Sequence, residues 1–321
     1  MSLAALVISG DRRALSRAIT CVENGDPGAR ALLEELYPRV GRARRIGFTG
    51  PPGVGKSTLV SELAKHWRSK NRTVGIVAVD PSSPFTGGAL LGDRIRMNSV
   101  GMDPGVFIRS MATRGALGGL ARATCDACDV LDASGKDVVM VETVGVGQSE
   151  IEIVRVTDTT IVILSPESGD GVQAMKSGLM EIADVIVINK ADRPGADVLE
   201  TQIRSSFELS TSRLPPAIVQ TAAATGKGIA ETAAAIEAHT EKLEREGKLR
   251  EHRAARLRFR IARLVEEALS SRLAHDPAAA AWMETRIEEV LAGRMTPGDA
   301  AEEVLDRLTQ GHTRRAARLA K

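Results

Sequence analysis

Nine residues, GPPGVGKST from Gly50 to Thr58, carry glycines, a lysine and two hydroxyls in a spacing suited to phosphate. Gly50, Gly55, Lys56 and Ser57 fill the pattern G-x-x-x-x-G-K-[ST], with an apolar run before it and a helical pattern after it. The glycines let the backbone wrap a phosphate chain with its amide N–H groups. Pro51, Pro52, Gly53 and Val54 complete the loop, and the helix N-terminus adds the positive end of its dipole. Lys56 supplies a point charge to the terminal phosphates. The Ser57 hydroxyl, with Thr58 beside it, is placed to ligate Mg²⁺.

A second constellation addresses the base. NKAD, Asn189 to Asp192, follows the run DVIVI. The Asp192 carboxylate can accept from both the ring N–H and the exocyclic amine of guanine. Adenine offers neither donor there and would leave the carboxylate unpaired. Lys190 can lay its apolar stem along the base, and Asn189 can tie this loop to the phosphate loop. The expected nucleotide is therefore GTP, with GDP as product. Further on, TAAATGKGI places Ala222 and Ala223 where backbone N–H groups could cap the base.

Carboxylates for a magnesium site are also present. VETVGVGQSE ends a strand pattern with Glu142 and continues into a glycine turn, where Gly145 can reach a terminal phosphate. Asp80 ends another strand pattern, and Asp93 follows a glycine-containing stretch. With Ser57, these three carboxylates are the expected metal-linked residues. Many GTPases place a water-orienting Gln directly after the switch glycine. Here Val146 holds that place and Gln148 comes two residues later, so slow intrinsic hydrolysis is expected.

The elements that must hold these loops alternate. RIGFTG (45–50), TVGIVAVD (73–80), DVVMVET (137–143), TTIVILSP (159–166), DVIVINK (184–190) and AIVQT (217–221) are almost continuously apolar. Such runs belong to strands buried on both faces. Helical patterns separate them, which predicts an α/β fold: a P-loop NTPase with a mostly parallel sheet flanked by helices. Residues 1–41 read as N-terminal helices, 42–232 as the nucleotide-binding domain and 233–321 as a helical C-terminal region. A break is expected near Gly247, and a last helix with Thr296 as N-cap and Pro297 in its first position.

Composition narrows the classes. The net charge is +2 and aromatics are 2% of residues, which argues against nucleic acid as a partner. No apolar run is long enough to span a membrane, so none is expected and the reading is cytoplasmic. Three cysteines fit a reducing compartment. Cys125-x-x-Cys128 with five scattered histidines leaves a metallochaperone-type GTPase half built, since two thiols do not complete a zinc or nickel site.

Taken together, GPPGVGKST, VDPSSPFTGGALLGDRIRM, VETVGVGQSE, SPESGDGVQAMKSGLMEIAD and NKAD resemble the MeaB/ArgK family of P-loop GTPases. The resemblance covers most of the chain. It implies a GTPase chaperone that gates adenosylcobalamin loading of methylmalonyl-CoA mutase and protects that enzyme. It also implies a first switch from Asp80 to about Arg96, a second from Glu142 to Glu150 and a third from Glu167 to about Lys176, with Lys176 as the functional lysine of the third. The C-terminal helices would form a dimerisation arm, making a homodimer. The older ArgK label implies a kinase tied to arginine and ornithine transport. Nothing in the residues supports an export route or a protein-substrate site.

Overall fold

The computed structural model describes residues 1–80, 98–112, 122–143, 149–167, 178–209 and 215–319. Asp93, Gly145, Val146, Gln148 and Lys176 lie outside the described residues. The chain divides into two compact units, Met1–Arg253 and Ala254–Lys321.

In the first unit seven strands form one sheet in the order β3-β2-β4-β1-β5-β6-β7. They are β1 Arg44–Thr49, β2 Val74–Asp80, β3 Val106–Ala112, β4 Val138–Glu142, β5 Thr159–Leu164, β6 Val185–Ile188 and β7 Ala217–Gln220. Every pairing is parallel. The six apolar runs are all strands, as expected. The seventh, β3, was not legible as a run because Arg109 and Ser110 interrupt VFIRSMA. It lies at the sheet edge, where Arg109 pairs with Glu23 instead of packing against a second apolar layer.

The helices of this unit are α1 Leu3–Ile8, α2 Arg12–Asn24, α3 Ala29–Leu36, α4 Lys56–Ser69, α5 Asn98–Gly101, α6 Arg122–Ala133, α7 Ser149–Glu152, α8 Leu179–Ile182, α9 Ala196–Leu209 and α10 Ile229–Arg245. Local chemistry sets their ends. Asp11 caps α2 by accepting from the Ala14 N–H at 2.6 Å, and Gly25 ends the helix in a left-handed conformation. Between those stops Leu15, Ala18, Ile19 and Val22 fall on one buried face.

Alternation along the strands sends side chains to opposite faces. Val139 and Val141 meet α1, α2, α3 and α6, while Val138 and Met140 face α4 and α10. Farther along, Val162, Leu164, Ile186 and Ile188 are covered by α8 and α9. The N-terminal helices therefore share the core of the sheet domain and are not an appendage.

Below the sheet, at the N-terminal ends of its strands, charge is buried in pairs. Arg45 donates to Asp129 at 2.7 Å and Asp132 at 3.1 Å. Asp132 in turn accepts the backbone N–H groups of Gly41, Arg42 and Ala43. This network fixes the entry to β1, and so the strand that delivers the phosphate loop.

His66 on α4 is less well served. Its Nε2 is buried with no hydrogen-bond partner among the described residues. Burial, then the charge of Lys70, holds its pKa below the ordinary 6.5. The folded protein thus binds fewer protons than the unfolded chain around and below that value. Stability contributed by the neutral ring is present above pH 6.5 and falls as the pH drops through it. His66→Gln should flatten this slope. Urea unfolding at several pH values across that range checks it, and a slope unchanged by the substitution would rule His66 out as the cause.

The second unit holds most of α11 Lys248–His275, with α12 Pro277–Leu291 and α13 Pro297–Leu319. The expected break is at Gly247, at φ +70°, between α10 and α11. Thr296 accepts from the Asp299 N–H at 3.2 Å and donates to the Asp299 carboxylate at 2.7 Å, a reciprocal cap before Pro297. Arg286 and Arg307 lie over the Trp282 ring at 4.7 and 5.3 Å, tying α12 to α13.

Candidate functional site

Strand order reverses at β1, which has β4 on one side and β5 on the other. In open parallel sheets a ligand crevice forms at the carboxyl ends of the strands where the order reverses. The loop from Gly50 to Gly55 leaves β1 at that point and enters α4.

Backbone geometry explains the two outer glycines. Gly50 has φ +140°, and a Cβ there would overlap the carbonyl oxygen of Ile163 on β5. Gly55 has φ +93°, and a Cβ there would overlap the amide nitrogen of Asn189. A side chain would be strained at both positions. Val54 is fully buried and anchors the loop, while Pro52, Gly53 and Thr58 are exposed and Pro51 is half-buried.

Lys56 is buried, and its Nζ donates to the carbonyls of Gly50 at 2.7 Å and Pro51 at 2.9 Å. The ammonium is thereby held across its own loop. Ser57 Oγ donates to Glu142 Oε1 at 2.7 Å, and both residues are buried. A hydroxyl from α4 and a carboxylate from β4 thus bring two hard oxygens together at the start of the loop helix. That donor pair suits a small divalent cation. Asp80 closes β2, and its side chain is outside the described set.

On the base side, Asn189 is the junction. Its Nδ2 donates to the Val54 carbonyl at 2.8 Å. Its Oδ1 accepts from Thr221 Oγ1 at 3.0 Å and from the Ala223 N–H at 3.1 Å. One buried amide therefore ties the phosphate loop, the loop after β6 and the loop after β7. The Thr221 contribution was not read from the sequence, although a hydroxyl at a strand end beside the Ala-rich loop was its signal. The Ala222 and Ala223 amides do not point at an open base site. Ala222 N–H donates to Lys227 and Ala223 N–H to Asn189. The first closes the loop on itself and the second ties it to the loop after β6, which the sequence pattern could not reveal. Asp192 is exposed on the same loop as Lys190, which is half-buried.

The Cys125 and Cys128 pair lies on α6, and Cys128 is fully buried in the core. Among the described residues no group of three or more His, Cys, Asp or Glu is placed to hold a metal ion.

The family model described as Methylmalonyl Co-A mutase-associated GTPase MeaB matches residues 15–278. The chain belongs to the MeaB family. A protein of Pyrococcus horikoshii, named provisionally as a GTPase, is 46% identical over 304 residues, covering 93% of this chain and 95% of its own. The mouse methylmalonic aciduria type A homolog, mitochondrial, is 31% identical over 95% of this chain and 79% of its own. The crystal structure of the LAO/AO transport system kinase superposes with a TM-score of 0.73 and 26% identity, covering 96% of each chain.

With this family membership the site is that of a GTPase, and the nucleotide it takes is a guanine nucleotide. The MeaB-family sheet carries the phosphate loop at its reversal point and joins it to the NKAD loop through Asn189. Among the described residues no helix is long and apolar enough to cross a membrane.

Proposed function

We propose that this chain is a magnesium-dependent GTP switch that serves adenosylcobalamin-dependent methylmalonyl-CoA mutase, gating cofactor loading and protecting the enzyme. The observation that carries the reading is the joint between phosphate and base loops at Asn189, in a chain of the mutase-associated family. A single rigid joint lets occupancy of one subsite order the other. Lys56 would exchange its loop carbonyls for the terminal phosphates. Ser57 and Glu142, with Asp80 and Asp93, would hold Mg²⁺, which neutralises the charge that develops on the transferred phosphoryl group. Gly145 and Lys176 belong to the same proposal as phosphate-facing and relay residues.

Slow hydrolysis without a partner follows from Val146 at the usual Gln position. The mutase would then raise turnover, and GTP would in return change mutase binding, because coupling between two sites is reciprocal. The test is GTP turnover with and without the mutase, and mutase binding with GDP and GTP. Equal turnover in both conditions together with equal binding would defeat the switch reading.

A homodimer is part of the proposal. In the second unit a hollow of about 490 Å³ is lined by Leu269, Leu273, Met283, Ile287, Val290 and Leu305. Leu291, which also lines it, is 75% exposed, and Ile261, Val265 and Leu305 also face solvent. An exposed apolar face of this kind marks an interface, and a second copy covers it in this reading. Leu291→Asp should convert dimer to monomer in light scattering at micromolar concentration. A wild-type chain that is already monomeric there would end the dimer proposal.

A further inference from the structure

Lys190 sits in the base-reading loop at φ +59°. Non-glycine residues adopt this left-handed conformation at a cost. Its ammonium lies 3.3 Å from Oε2 of Glu167. The other carboxylate oxygen, Oε1, accepts from Nη1 of Arg193. One carboxylate on the turn after β5 therefore takes a cation from each side of Asp192. The Asn189 N–H donates to the Leu164 carbonyl at 2.8 Å, so the two loops are also in fixed backbone register.

The consequence appears at Asp192. It stands between two cations in sequence, yet it makes no hydrogen bond or ion pair with any described residue. A Lys or Arg side chain this close to a carboxylate can pair with it, a weak contact in water. Here Glu167 has captured both.

We infer that Glu167 is a positioning residue for guanine specificity: by binding Lys190 and Arg193 it keeps the Asp192 carboxylate open to the base. This rests on the guanine-nucleotide reading of the NKAD loop. The holding is electrostatic, so charge is what matters at position 167. Glutamine fills the same space but binds two cations poorly, and Arg193 would then turn to Asp192. Guanine must displace it, and an exposed ion pair of this kind is worth about two- to fivefold in affinity.

The experiment is displacement of a fluorescent GDP analogue from the full-length chain, with GTP, GDP and inosine triphosphate as competitors. Glu167→Gln should weaken GDP by about two- to fivefold. Arg193→Ala in that background should restore most of the loss, because the intruding cation is gone. A merely structural Glu167 would give the opposite, since removing its second partner could only add damage. Glu167 and Arg193 are partly exposed, so both variants should fold. Unchanged GDP affinity in Glu167→Gln would overturn the inference, as would a double variant weaker than the single. Asp192→Asn in parallel separates the levels. If Asp192→Asn also leaves GDP affinity intact, the base-reading assignment falls. If it alone weakens binding, only the role of Glu167 does.

Discussion

Asp192→Asn is expected to weaken GTP by about 2–4 kcal/mol, a loss of roughly thirty- to a thousandfold, while improving xanthosine triphosphate. The size comes from a reversal and not merely a deletion. In the proposed site the carboxylate would accept from two guanine donors, whereas the carboxamide would turn one N–H toward them. Xanthine carries an oxygen where guanine has its amine, so the same N–H meets an acceptor there. The surroundings should tolerate the change, because Asp192 is exposed and no described residue depends on it. Equilibrium titration of both nucleotides is the measurement. Equal GTP affinity in the two proteins would remove Asp192 from the base site.

Asp192 shows what a sequence can display. Its chemistry is in the side chain, and its place is set by a four-residue spacing after a buried strand. The same holds for Gly50, Gly55, Lys56 and Ser57, whose order along one turn is the site. Strands buried on both faces were legible for a related reason, since apolar residues on both faces leave an unbroken run. Legibility ended where a role depends on a partner distant in sequence. Glu167 reads from the family resemblance as the first residue of a third switch, and its contact with Lys190 and Arg193 shows only when β5 and β6 lie side by side. The amides of Ala222 and Ala223 read as base caps until Lys227 and Asn189 are seen to accept from them. β3 escaped because edge strands need not be apolar throughout, and Arg109 there answers to Glu23 on α2.

Glu142 is the residue whose loss should most damage turnover. Glu142→Ala is expected to lower kcat for GTP hydrolysis by about a hundred- to a thousandfold, the size seen when one preorganised electrostatic group is removed from an active site. GDP affinity should fall far less, because in the proposed site Lys56 and the loop amides would carry the ground-state contacts. Two accounts of the buried Ser57–Glu142 contact then compete. In the first, Glu142 merely orients the Ser57 hydroxyl, and any acceptor of the same length would serve. In the second, its negative charge helps to hold Mg²⁺. Glu142→Gln separates them. The amide oxygen can still accept from Ser57 Oγ at the same place, and the side chain still fills the buried space, so folding is preserved. Only the charge is lost. The metal-holding account requires the Gln variant to be nearly as slow as the Ala variant and to need much more Mg²⁺ for half-maximal turnover. Near wild-type turnover at ordinary Mg²⁺ would reduce Glu142 to a hydrogen-bond acceptor and shift the metal site to the other carboxylates.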